Sequence, residues 1–180
     1  SKSALCIQFE YDGLSGKILT LEITDGTRND HADAKETVSR VDMGDLIIRD
    51  LGYYSLPILS KFDTAKAFFI SRLGAKTNVY EWEKENEISF KKLYNDMVSK
   101  EKSCIEKEVH VGQKERMPLR LIISIVPNEA YQKRIREAEK RNKENGYKTS
   151  EDYKQRCRFN LFYYKYKIRY PYCRRNISAL

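Results

Sequence analysis

The 180-residue chain is predicted to be an α/β fold: a mixed sheet with helices, plus a β-rich insertion carrying a basic helix. Three observations predict it. Apolar residues alternate with polar ones near the N-terminus, short apolar runs alternate with helical patterns between residues 44 and 73, and a long basic helical segment follows residue 128. Strands and helices that alternate along the chain point to a mixed α/β sheet.

Leu5, Ile7, Phe9 and Tyr11 alternate with Cys6, Gln8 and Glu10, the period-two pattern of a half-buried strand. The segment Asp12 to Lys17 is a turn, and Ile18, Leu19, Leu21 and Ile23 return as the second strand of a hairpin. Asp25 to Asp30 form a loop, with Asn29 or Asp30 placed to cap a short helix reaching about Arg40. Leu46-Ile47-Ile48 is a continuous apolar run, expected as a strand buried on both faces in the middle of the sheet. Ser55 is placed to cap a helix with Pro57 in its first turn, which buries Leu56, Leu59 and Phe62. Ala67 to Leu73 is another interior strand.

After Gly74 the pattern weakens. Segments 105–112 and 119–126 read as strands on either side of Met117-Pro118. Asn128 is placed to cap a long helix ending near Gly146, Ser150 opens a short one, and Phe159 to Phe162 begin a further strand. The expected organisation is 1–74 as part of the core, 75–158 as an insertion with its own small sheet, and 159–180 as a return to the core followed by a tail.

Composition narrows the function classes. No apolar run reaches the roughly 18 residues of a membrane span, and the N-terminus lacks a signal-peptide pattern and a Met, so the chain is expected to begin inside a longer protein. Cys6, Cys104, Cys157 and Cys173 form no CxxC pair, which argues against a zinc knuckle and fits a reducing cytoplasm. The net charge of +8 is uneven: residues 1–99 hold 13 Lys and Arg against 16 Asp and Glu, and residues 100–180 hold 21 against 10. A basic half of net +11 predicts a polyanionic partner. Lys133, Arg134, Arg136, Lys140, Arg141 and Lys143 leave the long helix little apolar stripe, so it faces solvent or a charged partner. These six are the candidate DNA-binding residues.

There is no phosphate-binding Gly loop, HExxH, GxSxG or Cys/His pair, and no small-molecule substrate is expected. His31 beside Asp30 reads as a surface imidazole at a cap, and His110 as a half-exposed strand residue. The carboxylates remain. Asp50 follows an apolar strand directly and precedes a Gly turn, which places it at the strand's carboxyl end, where ligand sites of open α/β sheets collect. Asp45 lies at the other end of the same strand, roughly 16 Å away at 3.3 Å per residue, too far to share a metal. The plain alternative for Asp50 is a helix cap or Asx-turn.

The stretch from Gly44 to Leu56, Gly-Asp-Leu-Ile-Ile-Arg-Asp-Leu-Gly-Tyr-Tyr-Ser-Leu, followed by Ala67 to Leu73, closely resembles the region around the second catalytic Asp of DDE transposases from bacterial insertion sequences (the IS-four group). The hairpin, Asp30-His31, and Asn145 to Lys148 with Phe159 to Phe162 also resemble that group, so the likeness runs from about residue 2 to 162. The resemblance implies an RNase-H-like fold in which two Asp and one Glu hold two divalent cations, normally Mg2+, for in-line phosphoryl transfer. It assigns Asp50 as a catalytic, metal-binding carboxylate. It implies double-stranded DNA at transposon ends as partner, gripped in part by the insertion, with a homodimer in the intact protein and a bacterial, nucleoid-associated location.

The departures from the pattern matter equally. The first Asp of such proteins lies on a strand preceding the hairpin, and the Glu sits in a Tyr-x2-Arg-x3-Glu-x6-Lys pattern after the insertion. No Asp or Glu follows Asp152 here. The expectation is an incomplete RNase-H-like sheet, a transposase fragment with one ligand of three that does not cut DNA alone. The rival is a non-catalytic DNA-binding remnant that regulates an intact transposase. A stand-alone nuclease would need further acids beside Asp50, and Asp12, Asp25 and Asp30 lie in turns. From Tyr163 to Arg175 aromatics interleave with cations. That strip reads either as a single-strand binding surface or, as we favour, as a frameshifted tail, since codons able to encode Phe162 to Tyr166 also spell, one base later, Phe-Ile-Thr-Asn, which resembles the family's continuation.

Overall fold

The computed structural model describes residues 5–25, 38–50, 55–84 and 86–165. The expected loop and short helix with His31, the turn at 51–54 and the tail beyond Lys165 lie outside the described residues. Strands β1 (Leu5–Tyr11) and β2 (Ile18–Asp25) form the expected antiparallel hairpin. Asp12 shapes its turn, accepting from Leu14 N at 2.9 Å and from the Ser15 hydroxyl. The hydrogen bond from Ser15 holds the Asp12 carboxyl below its usual range.

The other strands make one six-stranded sheet in the order β3-β4-β8-β7-β6-β5. They are β3 (Leu46–Arg49), β4 (Phe68–Arg72), β5 (Val79–Glu81), β6 (Cys104–Val111), β7 (Met117–Ile125) and β8 (Phe159–Lys165). The β3–β4 pair is parallel and every other neighbouring pair is antiparallel. Helix α1 (Leu56–Thr64) crosses from β3 to β4, and α2 (Phe90–Ser99) lies between β5 and β6. Helices α3 (Asn128–Glu144) and α4 (Glu151–Arg156) lie between β7 and β8.

One sheet face carries the core. Ile58, Leu59 and Phe62 of α1 and Phe90, Leu93 and Met97 of α2 pack on Phe69, Val109, Leu119, Leu121, Ile123, Leu161 and Tyr163. Phe69 meets Tyr163 edge-on, with ring centroids 6.0 Å apart. Alternation sends the next residues in each strand to the opposite, open face.

Four expectations need correction. First, the hairpin is not half-buried through its apolar side. Leu5, Ile7, Phe9 and Tyr11 are 79%, 63%, 53% and 60% exposed, and Leu21 and Ile23 are exposed too. Its polar side is the docked one: Thr20 is buried, Arg40 Nη1 donates to Thr20 Oγ1 at 3.0 Å, and Arg49 forms an ion pair with Glu10. Second, Leu46-Ile47-Ile48 is not central. It forms the edge of the large sheet, with Leu46 and Ile48 exposed and Ile47 alone turned to the core. Third, residues 75–158 do not build a sheet of their own, because β7 pairs with β8 and β8 with β4, making the sheet continuous. Fourth, Asn128 is the first residue of α3 rather than its cap. Pro127 occupies the cap position, with no side-chain hydrogen bond there. Ser55 likewise stands at the start of α1 without capping through its side chain, whereas Ser150 does accept from Tyr153 N at 3.2 Å.

Strand β5 and helix α2 escape a reading of periodicity up to Gly74, yet α2 is well encoded. Ser89 caps it by accepting from Lys92 N, and Phe90, Leu93 and Met97 recur on one face. At the β5 edge, Trp82 stacks on His110 with centroids 4.6 Å apart and planes 4° from parallel. Among the described residues no helix is long and apolar enough to cross a membrane.

Candidate functional site

Asp50 directly follows β3, at the strand's carboxyl end. The parallel register pairs Leu46 with Phe68 and Ile48 with Ile70. Two residues further along each strand, the same alternation sets Asp50 beside Arg72 on the open face. Arg72 closes on the carboxylate with two hydrogen bonds, Nε to Oδ1 at 2.6 Å and Nη2 to Oδ2 at 2.9 Å. This is the planar bidentate geometry that guanidinium and carboxylate favour. The side chains are 48% and 65% exposed, so solvent screening limits the pair to about 1 kcal/mol or less.

The row continues across the open face. Arg72 is opposite Phe162, Phe162 opposite Ile122, and Ile122 opposite Glu106. Glu106 forms an ion pair with Arg120 at 2.5 Å and accepts from the Tyr164 hydroxyl at 2.6 Å. On the other side of β3, Arg49 pairs with Glu10, whose carboxylate also lies 3.6 Å from Arg40.

These residues do not fit a divalent metal centre. Mg2+ demands near-octahedral oxygen ligation, with carboxylates and waters free to approach. Here both Asp50 oxygens already face a guanidinium, and among the described residues no three His, Cys, Asp or Glu side chains gather to hold an ion. Asp12 is in the hairpin turn, while Asp25 has no described side chain and Asp30 is outside the described residues. Cys157 is buried, and burial pushes its thiol up from the ordinary range.

The second candidate surface is α3, where Ala138 is the only buried residue. Lys133, Arg136, Lys140 and Lys143 are exposed and spaced three, four and three apart, which aligns them in one stripe of a helix. Glu129 and Glu144 flank that stripe at its two ends, and exposed Glu137 borders it midway, four residues after Lys133 and three before Lys140. Arg134 points the other way. Its Nη1 donates to the Phe159 carbonyl at 3.0 Å and its Nη2 to Asn160 Oδ1 at 2.6 Å. Arg141 is exposed beside that inner face rather than within the stripe. Beyond the helix, Lys143, Tyr147, Lys148 and Lys154 line an open cleft of about 520 Å³. Lys154 there bonds Glu139 at 2.7 Å, which raises its pKa.

Arg72 and Arg156 are the residues that motif reading misses. The signal for Arg72 is spacing: in a parallel pair, the distance from Leu46 to Phe68 equals the distance from Asp50 to Arg72. Arg156 carries no sequence signal of its importance. It is nearly buried, donates to the Thr77 carbonyl at 2.6 Å, bonds Glu87 and Asp152, and lies 4.7 Å from the Phe90 ring centroid.

Comparison with known proteins gives a consistent result. Residues 2–159 match the family model described as "Transposase DDE domain". The transposase for insertion sequence element IS231F of Bacillus thuringiensis subsp. israelensis is 43% identical over 74 residues, covering 41% of this chain and 16% of that protein. The corresponding IS231B protein of Bacillus thuringiensis subsp. berliner is 29% identical over 174 residues, covering 87% and 36%. The IS1151 transposase of Clostridium perfringens is 27% identical over 150 residues, covering 75% and 32%. In its longer alignments the chain spans about a third of the length of the relatives it matches. No solved structure matches it.

Proposed function

The chain belongs to the DDE-domain transposases of bacterial insertion sequences, and from that premise we propose that it grips duplex DNA without cutting it. The reaction class of the whole protein is metal-assisted phosphoryl transfer on insertion-sequence DNA. This chain contributes Asp50 to that chemistry.

The observation that carries the proposal is the state of that carboxylate. Asp50 stands at the carboxyl end of β3, yet its charge is met by Arg72, and among the described residues no cluster of acids able to share a metal lies around it. Cleavage needs the ion, so the piece is inactive by itself. DNA binding needs only cations, and the stripe of Lys133, Arg136, Lys140 and Lys143 supports it. The same stripe favours a second reading, a DNA-binding remnant that regulates an intact transposase by occupying its sites.

A DNA titration at two salt concentrations, with and without Mg2+, tests the proposal on the chain and on Asp50→Ala. Salt-sensitive binding with no cleavage in either protein is expected. Mg2+-dependent cutting that disappears in Asp50→Ala would overturn it.

A further inference from the structure

The disagreement between the Asp50 site and a metal centre has a specific cause on β4. We propose that Arg72 is the resident counter-cation of Asp50 and weakens the binding of divalent and trivalent metal ions at that carboxylate. The proposal rests on the family reading only in taking Asp50 as the carboxylate a metal would otherwise approach. It requires nothing about DNA.

Three features of the fold make the pairing a built-in contact and not an accident of two long surface side chains. The parallel register delivers both residues to the same row and the same face of the sheet. The carboxylate has no flexible stem to swing away, since Asp50 has a single methylene and directly follows β3. The contact is bidentate, engaging both carboxylate oxygens at 2.6 and 2.9 Å. A lysine could supply the charge but not the fork.

A hard metal ion approaching Asp50 therefore meets a fixed positive charge where it would need electron pairs. It must displace the guanidinium or bind against cation–cation repulsion. The surroundings add to this. On the opposite side of β3 the Glu10 carboxylate is taken by Arg49 and lies near Arg40, so it offers no free ligand there either. The pair is exposed, so a weak ion does not displace Arg72 but a strongly binding one competes measurably.

Terbium(III) is the probe, because it seeks carboxylate oxygen and its luminescence is sensitised by nearby tyrosines. The full chain, Arg72→Gln, Asp50→Asn and the double variant are titrated with Tb3+ alone, and the Asp50-dependent part is taken as the difference between matched proteins. Arg72→Gln is expected to tighten that part at least fivefold, and the double variant to lose the gain. Arg72→Lys, which keeps the charge and loses the fork, is expected to fall between wild type and Arg72→Gln. It serves as the readout should the Gln variant misfold by circular dichroism. The proposal is overturned if neither Arg72 variant differs from wild type, or if the gain persists without Asp50. Failure of DNA binding in the earlier titration would leave this result untouched, so the two readings fail separately.

Discussion

Arg156 shows how one side chain can join segments far apart in sequence. Its side chain is 5% exposed, and its guanidinium reaches Thr77, Glu87 and Asp152 while lying over Phe90. Buried cations are tolerated only when their donors are met. Glu87 and Asp152 are themselves 43% and 67% exposed, so their charge contribution is screened, and the carbonyl contact and ring packing weigh more. Arg156→Ala is expected to cost about 2 kcal/mol, read as a lower urea midpoint at unchanged m-value. Arg156→Lys is expected to recover only part, lacking the fork that serves three acceptors. Neither effect is visible in the sequence, where Arg156 is one of many cations in a basic half.

At the scale of elements, α3 divides its cations between two tasks. Lys133, Arg136, Lys140 and Lys143 face outward, whereas Arg134 holds the segment from Cys157 to Asn160. Replacing a stripe residue by alanine is expected to lower the slope of log affinity against log salt by about 0.9 for each phosphate that its charge neutralises. Arg134→Ala is expected to lower the melting temperature and leave that slope unchanged. Fluorescence anisotropy at several salt concentrations, with thermal melts beside it, separates the two. Periodicity found this helix and most of the strands, because alternation and helical spacing are local properties of the chain. It could not divide the six cations, since Arg134 is distinguished by a partner 25 residues away. It also put Leu46 to Ile48 in the middle of the sheet, because an apolar run is the same whether a neighbour lies on one side or both. The place of Asp50 at the carboxyl end of β3 was legible from the apolar run before it. Arg72 was not, because its role follows from parallel register rather than from any motif around it.

The molecule as a whole carries an inverted hairpin, with polar Thr20 and Glu10 docked and an apolar face of Leu5, Ile7, Phe9, Tyr11, Leu21 and Ile23 turned outward. A patch of six large side chains on a two-stranded sheet is an association hazard. Ile7→Lys with Ile23→Glu, opposite charges at directly facing positions, is expected to reduce light scattering of concentrated protein while changing its melting temperature little, because both positions are already exposed. Unchanged scattering would show that this face is not what associates. The opposite end of the molecule offers something different. The chain's one tryptophan, Trp82, lies against His110 at the β5 edge, five strand spacings across the sheet from β3, roughly 24 Å. Its emission is therefore a local signal, sensitive to fraying of that corner and insensitive to events at Asp50. A fluorimeter set to excite indole alone would watch the β5 border open while tyrosine emission and circular dichroism follow the remainder, and a gap between the two curves would reveal an unfolding step that a single probe would average away.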